Sequence, residues 1–336
     1  MSNKLSKAGM IVAGLALILV TFGYLMFWRT APFEGLTADF RPLMTAESVA
    51  QMQTDITDLE AASTEYRTAL VPAVAQRLGV APAALEAQFA QQFPATTTGM
   101  NAIPQIAAGM RSLAATFDAE RARFTQADAI PTKDQTTTSI PWLLTGAGIL
   151  ALIVAFSATR RRGTAVAAIV LGVALAGAPL VISMPSKAAA ADQLNANLAP
   201  VFTSARVVQT QQAVSTLEAM TSEITTTMLP AIASQLQLPA DQVNAFLGKN
   251  FPALAATLQN APQALARAQS IAAAYAENLP RYEDIKPVSF RVITWTTILA
   301  GFLLIVAGAA AFGSAAQIAT LETRERRWVG RRRQAA

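Results

Sequence analysis

Four glutamates and two arginines are the residues of this chain whose type and spacing come nearest to chemistry: Glu60 and Glu65, Glu218 and Glu223, with Arg123 and Arg281. Each recurs 158 positions on, Glu60 with Glu218, Glu65 with Glu223 and Arg123 with Arg281. Paired carboxylates serve general acid–base catalysis or Ca²⁺ ligation. The members of each pair stand five apart, however, whereas a helix face repeats at three and four. They read instead as polar groups on helix surfaces, available for contacts between helices, with Arg123 and Arg281 as candidate partners.

The remaining chemistry is sparse. Histidine and cysteine are both absent, which removes zinc and haem sites with His ligation, Ser-His-Asp hydrolases, thiol proteases and disulfides. No phosphate loop, dinucleotide fingerprint, nucleophile elbow or EF-hand loop occurs. Gly146-Ala147-Gly148 lies in an apolar run and is not a nucleotide loop. The expectation is a protein without a cofactor or a bound metal, and not an enzyme.

What must position those glutamates is a long repeat. Shifted by 158, the sequence matches itself without a gap from Ile11 to about Pro131: Pro42 meets Pro200, Pro72 meets Pro230, Phe93-Pro94 meets Phe251-Pro252 and Pro104-Gln105 meets Pro262-Gln263. After a slip of five, Trp142 meets Trp295. Val49, Met52, Ile56, Leu59, Ser63, Tyr66 and Leu70 form a stripe at alternating spacings of three and four, matched by Val207, Thr210, Val214, Leu217, Thr221, Ile224 and Met228. Such a stripe is the face of a helix packed along a partner. Pro72 and Pro230 should kink or break it. A turn near Gly79–Pro82 leads to a short helix that stops before Phe93-Pro94, and a return helix carries Ile106, Met110, Leu113, Phe117 and Phe124.

Four apolar runs, at 10–28, 140–158, 164–184 and 292–314, have the length of about 20 residues that a bilayer needs. Small residues such as Gly14, Gly148 and Gly172 suit close packing within them. No ionisable side chain interrupts a run, which argues against an ion-coupled transporter. Residues 1–28, 159–163 and 315–336 hold eleven basic residues against two acidic ones, whereas 29–139 is net −4 and 185–291 is neutral. The positive-inside rule then places both termini in the cytoplasm. The predicted architecture is an all-α, multi-pass plasma-membrane protein with four transmembrane helices. Its two tandem-repeated helical extracytoplasmic domains, 29–139 and 185–291, are related by a pseudo-twofold along the membrane normal. The cationic groups Arg160, Arg161, Arg162, Arg324, Arg326, Arg327, Arg331, Arg332 and Arg333 are read as contacts for lipid headgroups, not for nucleic acid.

Function is less legible. The leading expectation is an accessory or interaction subunit of an envelope or membrane complex, working through a protein partner or a second copy of itself. The alternative is a carrier or conduit for an apolar envelope molecule such as a lipid, or a ligand sensor acting through a partner chain. A cavity at the pseudo-twofold axis would favour the alternative; a filled bundle would count against it.

Overall fold

The computed structural model describes residues 2–130, 139–157, 162–235, 237 and 239–334. Among them every regular element is helical. The first half of the chain runs α1 (Ser2–Gly23), α2 (Met26–Phe40), α3 (Ala46–Glu65), α4 (Val71–Leu78), α5 (Pro82–Gln92), α6 (Pro94–Asp128) and α7 (Ser139–Ser157). The second half runs α8 (Arg162–Val181), α9 (Met184–Leu198), α10 (Ser204–Glu223), α11 (Leu229–Gln235), α12 (Ala240–Asn250), α13 (Pro252–Ile285) and α14 (Phe290–Gln334). The starts of α2 to α6 each lie 158 positions before the starts of α9 to α13.

Local chemistry sets these boundaries. Thr45 and Thr203, in extended conformation, cap α3 and α10 by accepting from the N–H of Ser48 and of Arg206. Pro72 and Pro230 do not break the chain into separate helices. The turn before each widens into a π segment, Tyr66–Leu70 and Ile224–Met228, in which the N–H of Val71 reaches the carbonyl of Tyr66 and that of Leu229 reaches Ile224. A proline has no N–H to donate four residues back and collides with that carbonyl, and one extra residue in the turn relieves both problems. Thr68 and Thr226 donate their hydroxyls to the carbonyls of Thr64 and Ser222 beside the widened turn. Gly79, at φ 68°, closes α4 in the left-handed region that only glycine enters freely, and α5 leaves at 101° to the preceding helical stretch.

The chain divides into two compact units. Unit 1 comprises 1–35, 122–196 and 283–336; unit 2 comprises 36–121 and 197–282. Unit 2 is thus shorter than the segments expected between the apolar runs, because parts of α2, α6, α9 and α13 pack with the apolar helices of unit 1. The sequence pattern gives no sign of α2 and α9 as separate helices. Each follows a non-glycine residue at positive φ, Leu25 at 51° and Ser183 at 55°, a conformation no residue-type signal announces at these two positions.

Among the described residues four helical stretches are long and apolar enough to cross a membrane: Lys4–Gly23, Ile140–Ser157, Gly163–Val181 and a window within Pro252–Gly313. Pro179 lies near the end of α8 and does not divide it. α1 packs along α7 and α8 along α14, and α1 also lies against α14. Glycine makes the closest crossings. A Cβ on Gly14 would stand 2.8 Å from the Gly148 carbonyl oxygen, and one on Gly148 would stand 2.8 Å from that of Gly14. Gly172 and Gly301 repeat the crossing at 2.5 and 2.7 Å. Large apolar side chains including Leu19, Phe156, Val170 and Phe302 are exposed on the outside, as suits helices surrounded by lipid. The N-terminus of α14 is capped by Asp192, whose carboxylate accepts from the N–H of Phe290 at 2.7 Å and the hydroxyl of Ser289 at 2.9 Å.

Replacing Gly301 by valine should therefore force α8 and α14 apart and cost roughly 1–3 kcal/mol by overpacking. Gly177, where an added methyl group would meet nothing within 4 Å, should accept alanine without loss. Thermal unfolding of both variants in the same bilayer discs checks the contrast.

Candidate functional site

The retained glutamates build the frame of unit 2. Phe93 and Phe251 each precede a proline, which disfavours helical backbone at that position. Both phenylalanines are non-helical, at φ −131° and −140°, so α6 and α13 each begin anew with proline as first residue. A new helix start leaves N–H groups unpaired. Glu223, at the end of α10, accepts from the N–H of Thr96 at 2.6 Å, and Glu65, at the end of α3, accepts from that of Leu254 at 2.7 Å. Each half of the sequence thus caps the return helix of the other, and the negative charge sits at the positive end of the helix dipole.

The other sequence-predicted contacts are distributed differently. Glu60 pairs with Arg111, and Glu218 lies on α10. Arg281 donates to Asp39 at 2.6 Å and to Asn278 at 2.9 Å, while Arg123 donates to Gln193 at 3.1 Å. In these bonds neither arginine takes a retained glutamate. The repeat alone gives no reason to choose Asp39, because its counterpart is Asn197, which donates to Glu120 at 2.8 Å. Acid and amide have exchanged places between the halves. Arg160 and Arg161 lie outside the described residues; of Arg162, Arg324, Arg326, Arg327, Arg331, Arg332 and Arg333 only the backbone is described.

The core of unit 2 draws on both halves, with Tyr66, Leu70 and Phe93 meeting Ile224, Met228 and Phe251 in one buried cluster. Beside it Phe40, Phe117, Phe202, Tyr275 and Tyr282 form an aromatic group, in which Tyr275 stacks on Phe202 at 4.9 Å. Two cavities adjoin these clusters. The larger, about 490 Å³, lies between α6 and α10 and reaches Ile271 and Tyr275 of α13. The smaller, about 120 Å³, is bordered by residues that correspond at 158, Leu59 with Leu217 and Met100 with Leu258 among them. Met52, Met110 and Leu217 line both.

Among the described residues no cluster of three or more acidic side chains is placed to hold a metal. The chain matches no known protein family, and no characterised protein sequence is detectably similar to it. What the larger cavity offers is shape and hydrogen bonding. Its apolar wall is supplied by methionine and aliphatic residues, and glutamine, serine and threonine contribute polar groups to the lining. Tyr275 is 2% exposed, and its hydroxyl has no partner within the described residues. Burying an unpaired hydroxyl costs about 1–3 kcal/mol, so this group stands out in an otherwise ordinary wall. Burial pushes its phenol far above the usual tyrosine range, with the Arg206 charge opposing.

Two measurements test the frame. Glu65→Ala and Glu223→Ala should each destabilise the protein by about 1 kcal/mol through the lost cap, with the glutamine variants intermediate, as read from denaturant midpoints. Burial, with the nearby charge of Glu86, pushes the Tyr66 phenol up to about 12. The unfolded chain ionises near pH 10 while the folded one keeps its proton, so stability should fall as pH rises from 10 to 12, by roughly 2 kcal/mol. Tyr66→Phe should flatten that part of the stability curve.

Proposed function

We propose that this chain is a four-span plasma-membrane protein made of two tandem copies of one helical hairpin, with unit 2 on the extracytoplasmic side as a binding unit for a small apolar molecule. It acts by recognition, either carrying its ligand or reporting on it through a partner chain, and has no catalysis of its own. The observation that carries this reading is the cavity of about 490 Å³ between α6 and α10, within the range of roughly 300–1,000 Å³ usual for ligand pockets.

The surface of unit 2 favours the ligand reading over a docking subunit. Its large exposed apolar side chains are Leu78, Val80 and Val208 among those described, whereas stable partner surfaces concentrate apolar and aromatic groups at their centre. The two-copy reading is supported by helix starts 158 apart, the two glycine crossings and the exchanged glutamate caps. A pseudo-twofold along the membrane normal follows if both copies cross in the same sense, as parallel repeats do. Orientation rests on the basic residues of 1–28, 159–163 and 315–336, whose arginines would meet anionic headgroups on the cytoplasmic face.

Because the chain has no cysteine, single introduced thiols report topology without background. A membrane-impermeant maleimide should label Ser112→Cys and Ser270→Cys on intact cells and Lys4→Cys only after permeabilisation. The opposite pattern would reverse the orientation. The protein extracted in polymer-bounded native discs should carry an apolar compound enriched over bulk lipid, at about one per chain by mass spectrometry. A chain that brings only the surrounding lipid mixture would count against a ligand-binding role.

A further inference from the structure

The two halves of unit 2 make corresponding grooves, one between α3 and α13 and the other between α6 and α10, and these have diverged. In the first, Arg267 grips Asp55 with two prongs, Nε to Oδ2 at 2.8 Å and Nη2 to Oδ1 at 2.7 Å. Both residues border the cavity of about 120 Å³. The positions 158 away are Gly109 and Ala213. Neither side chain can reach across its groove, and a Cβ added to Gly109 would meet nothing within 4 Å. Here the cavity measures about 490 Å³.

Two more substitutions between the halves concern the same cavity. Tyr275 replaces the counterpart of Phe117, which adds the buried hydroxyl, and Arg206 replaces the counterpart of Ser48, which adds a positive charge. Arg206 bonds Gln209 at 3.3 Å, and it is the one charged residue in the lining among the described residues. The Tyr275 oxygen is sealed from the cavity, which leaves Arg206 as the charged group that a ligand meets. A cationic amphiphile would face Arg206 with no carboxylate in the lining to offset it. The apolar wall of Met52, Ile106, Met110, Leu113, Val214 and Ile271 suits an alkyl chain.

Resting on the ligand-binding reading, we propose that this cavity takes one long-chain carboxylic acid per chain. The alkyl chain lies along the methionine and aliphatic wall, and Arg206 at its edge supplies the counter-charge to the carboxylate. The corresponding groove is held shut by Asp55 and Arg267, so one half of the unit binds and the other half braces it.

Palmitate titrated calorimetrically into the full chain, held in zwitterionic lipid discs, should show one saturable site. Arg206→Gln should weaken binding several-fold, in line with one lost contact to a charged group, whereas Tyr275→Phe, whose oxygen is sealed from the cavity, should leave it unchanged. Gly109→Arg combined with Ala213→Asp, which installs the pair from the other groove, should abolish binding without lowering the unfolding temperature. Asp55→Ala combined with Arg267→Gly should raise the stoichiometry towards two. If the closing pair destabilises the chain, Arg206→Gln alone decides. Unchanged palmitate affinity in Arg206→Gln, or hexadecanol binding as tightly as palmitate, overturns the carboxylate site. If palmitate does not bind while another apolar compound co-purifies, this inference falls and the ligand-binding role stands. If neither occurs, both fall.

Discussion

A helix cannot start without leaving N–H groups that its own backbone cannot satisfy, and in unit 2 proline fixes where two such starts occur. The Phe93-Pro94 and Phe251-Pro252 junctions end one helix and begin the next within a single residue, leaving no loop to supply a cap from nearby. The acceptor therefore comes from the far side of the bundle, as Glu223 for one start and Glu65 for the other. Neither half can then be complete alone. This exchange sets the register of α3 against α13 and of α10 against α6, and that register is what brings Asp55 to Arg267 and leaves Gly109 facing Ala213. The cavity is a consequence of where the glutamates hold the helices.

Much of this is legible in the residues, and what is not has a physical reason. The four apolar runs, the all-helical content and the stripe from Val49 to Leu70 are periodic signals, and periodicity reports which face of a helix is buried. Val49, Met52, Ile56 and Leu70 are indeed buried. In the matching stripe, Val214 and Leu217 are only partly buried because they border the cavities. A proline at position 72 implies a kink but not its form, since a break and a widened turn both accommodate the missing N–H. Leu25 and Ser183 carry no mark of their left-handed conformation. The partner of Glu65 is beyond reach, because a side chain paired with a backbone N–H 189 positions away leaves no pattern of residue types to find.

An internal repeat supplies its own comparison, and the comparison separates what holds the fold from what shapes the cavity. Several residues identical in both halves satisfy backbone groups or fix helix ends: Thr45 with Thr203, Glu65 with Glu223, Pro72 with Pro230 and Phe93 with Phe251. Altering either threonine or either glutamate strands a backbone donor, a penalty both copies share. Among the many residues that differ, four pairs have a member lining a groove: Gly109 against Arg267, Ala213 against Asp55, Phe117 against Tyr275 and Ser48 against Arg206.

Each of these differences is awkward taken alone. An arginine opposite alanine would reach into the groove without a partner, and an aspartate opposite glycine would be half-buried without a counter-ion, a state that costs more than either member of the pair or its small replacements. Arg267 and Asp55 therefore favour each other's presence, and where Gly109 and Ala213 stand instead the cavity is the wider of the two. Two copies under one set of caps permit one of each. Asp55 and Arg267 bridge the narrower groove, while the wider one lies beside the buried hydroxyl of Tyr275. The fixed frame thus allows a cavity of about 490 Å³ on one side and a narrower one, bridged by an ion pair, on the other.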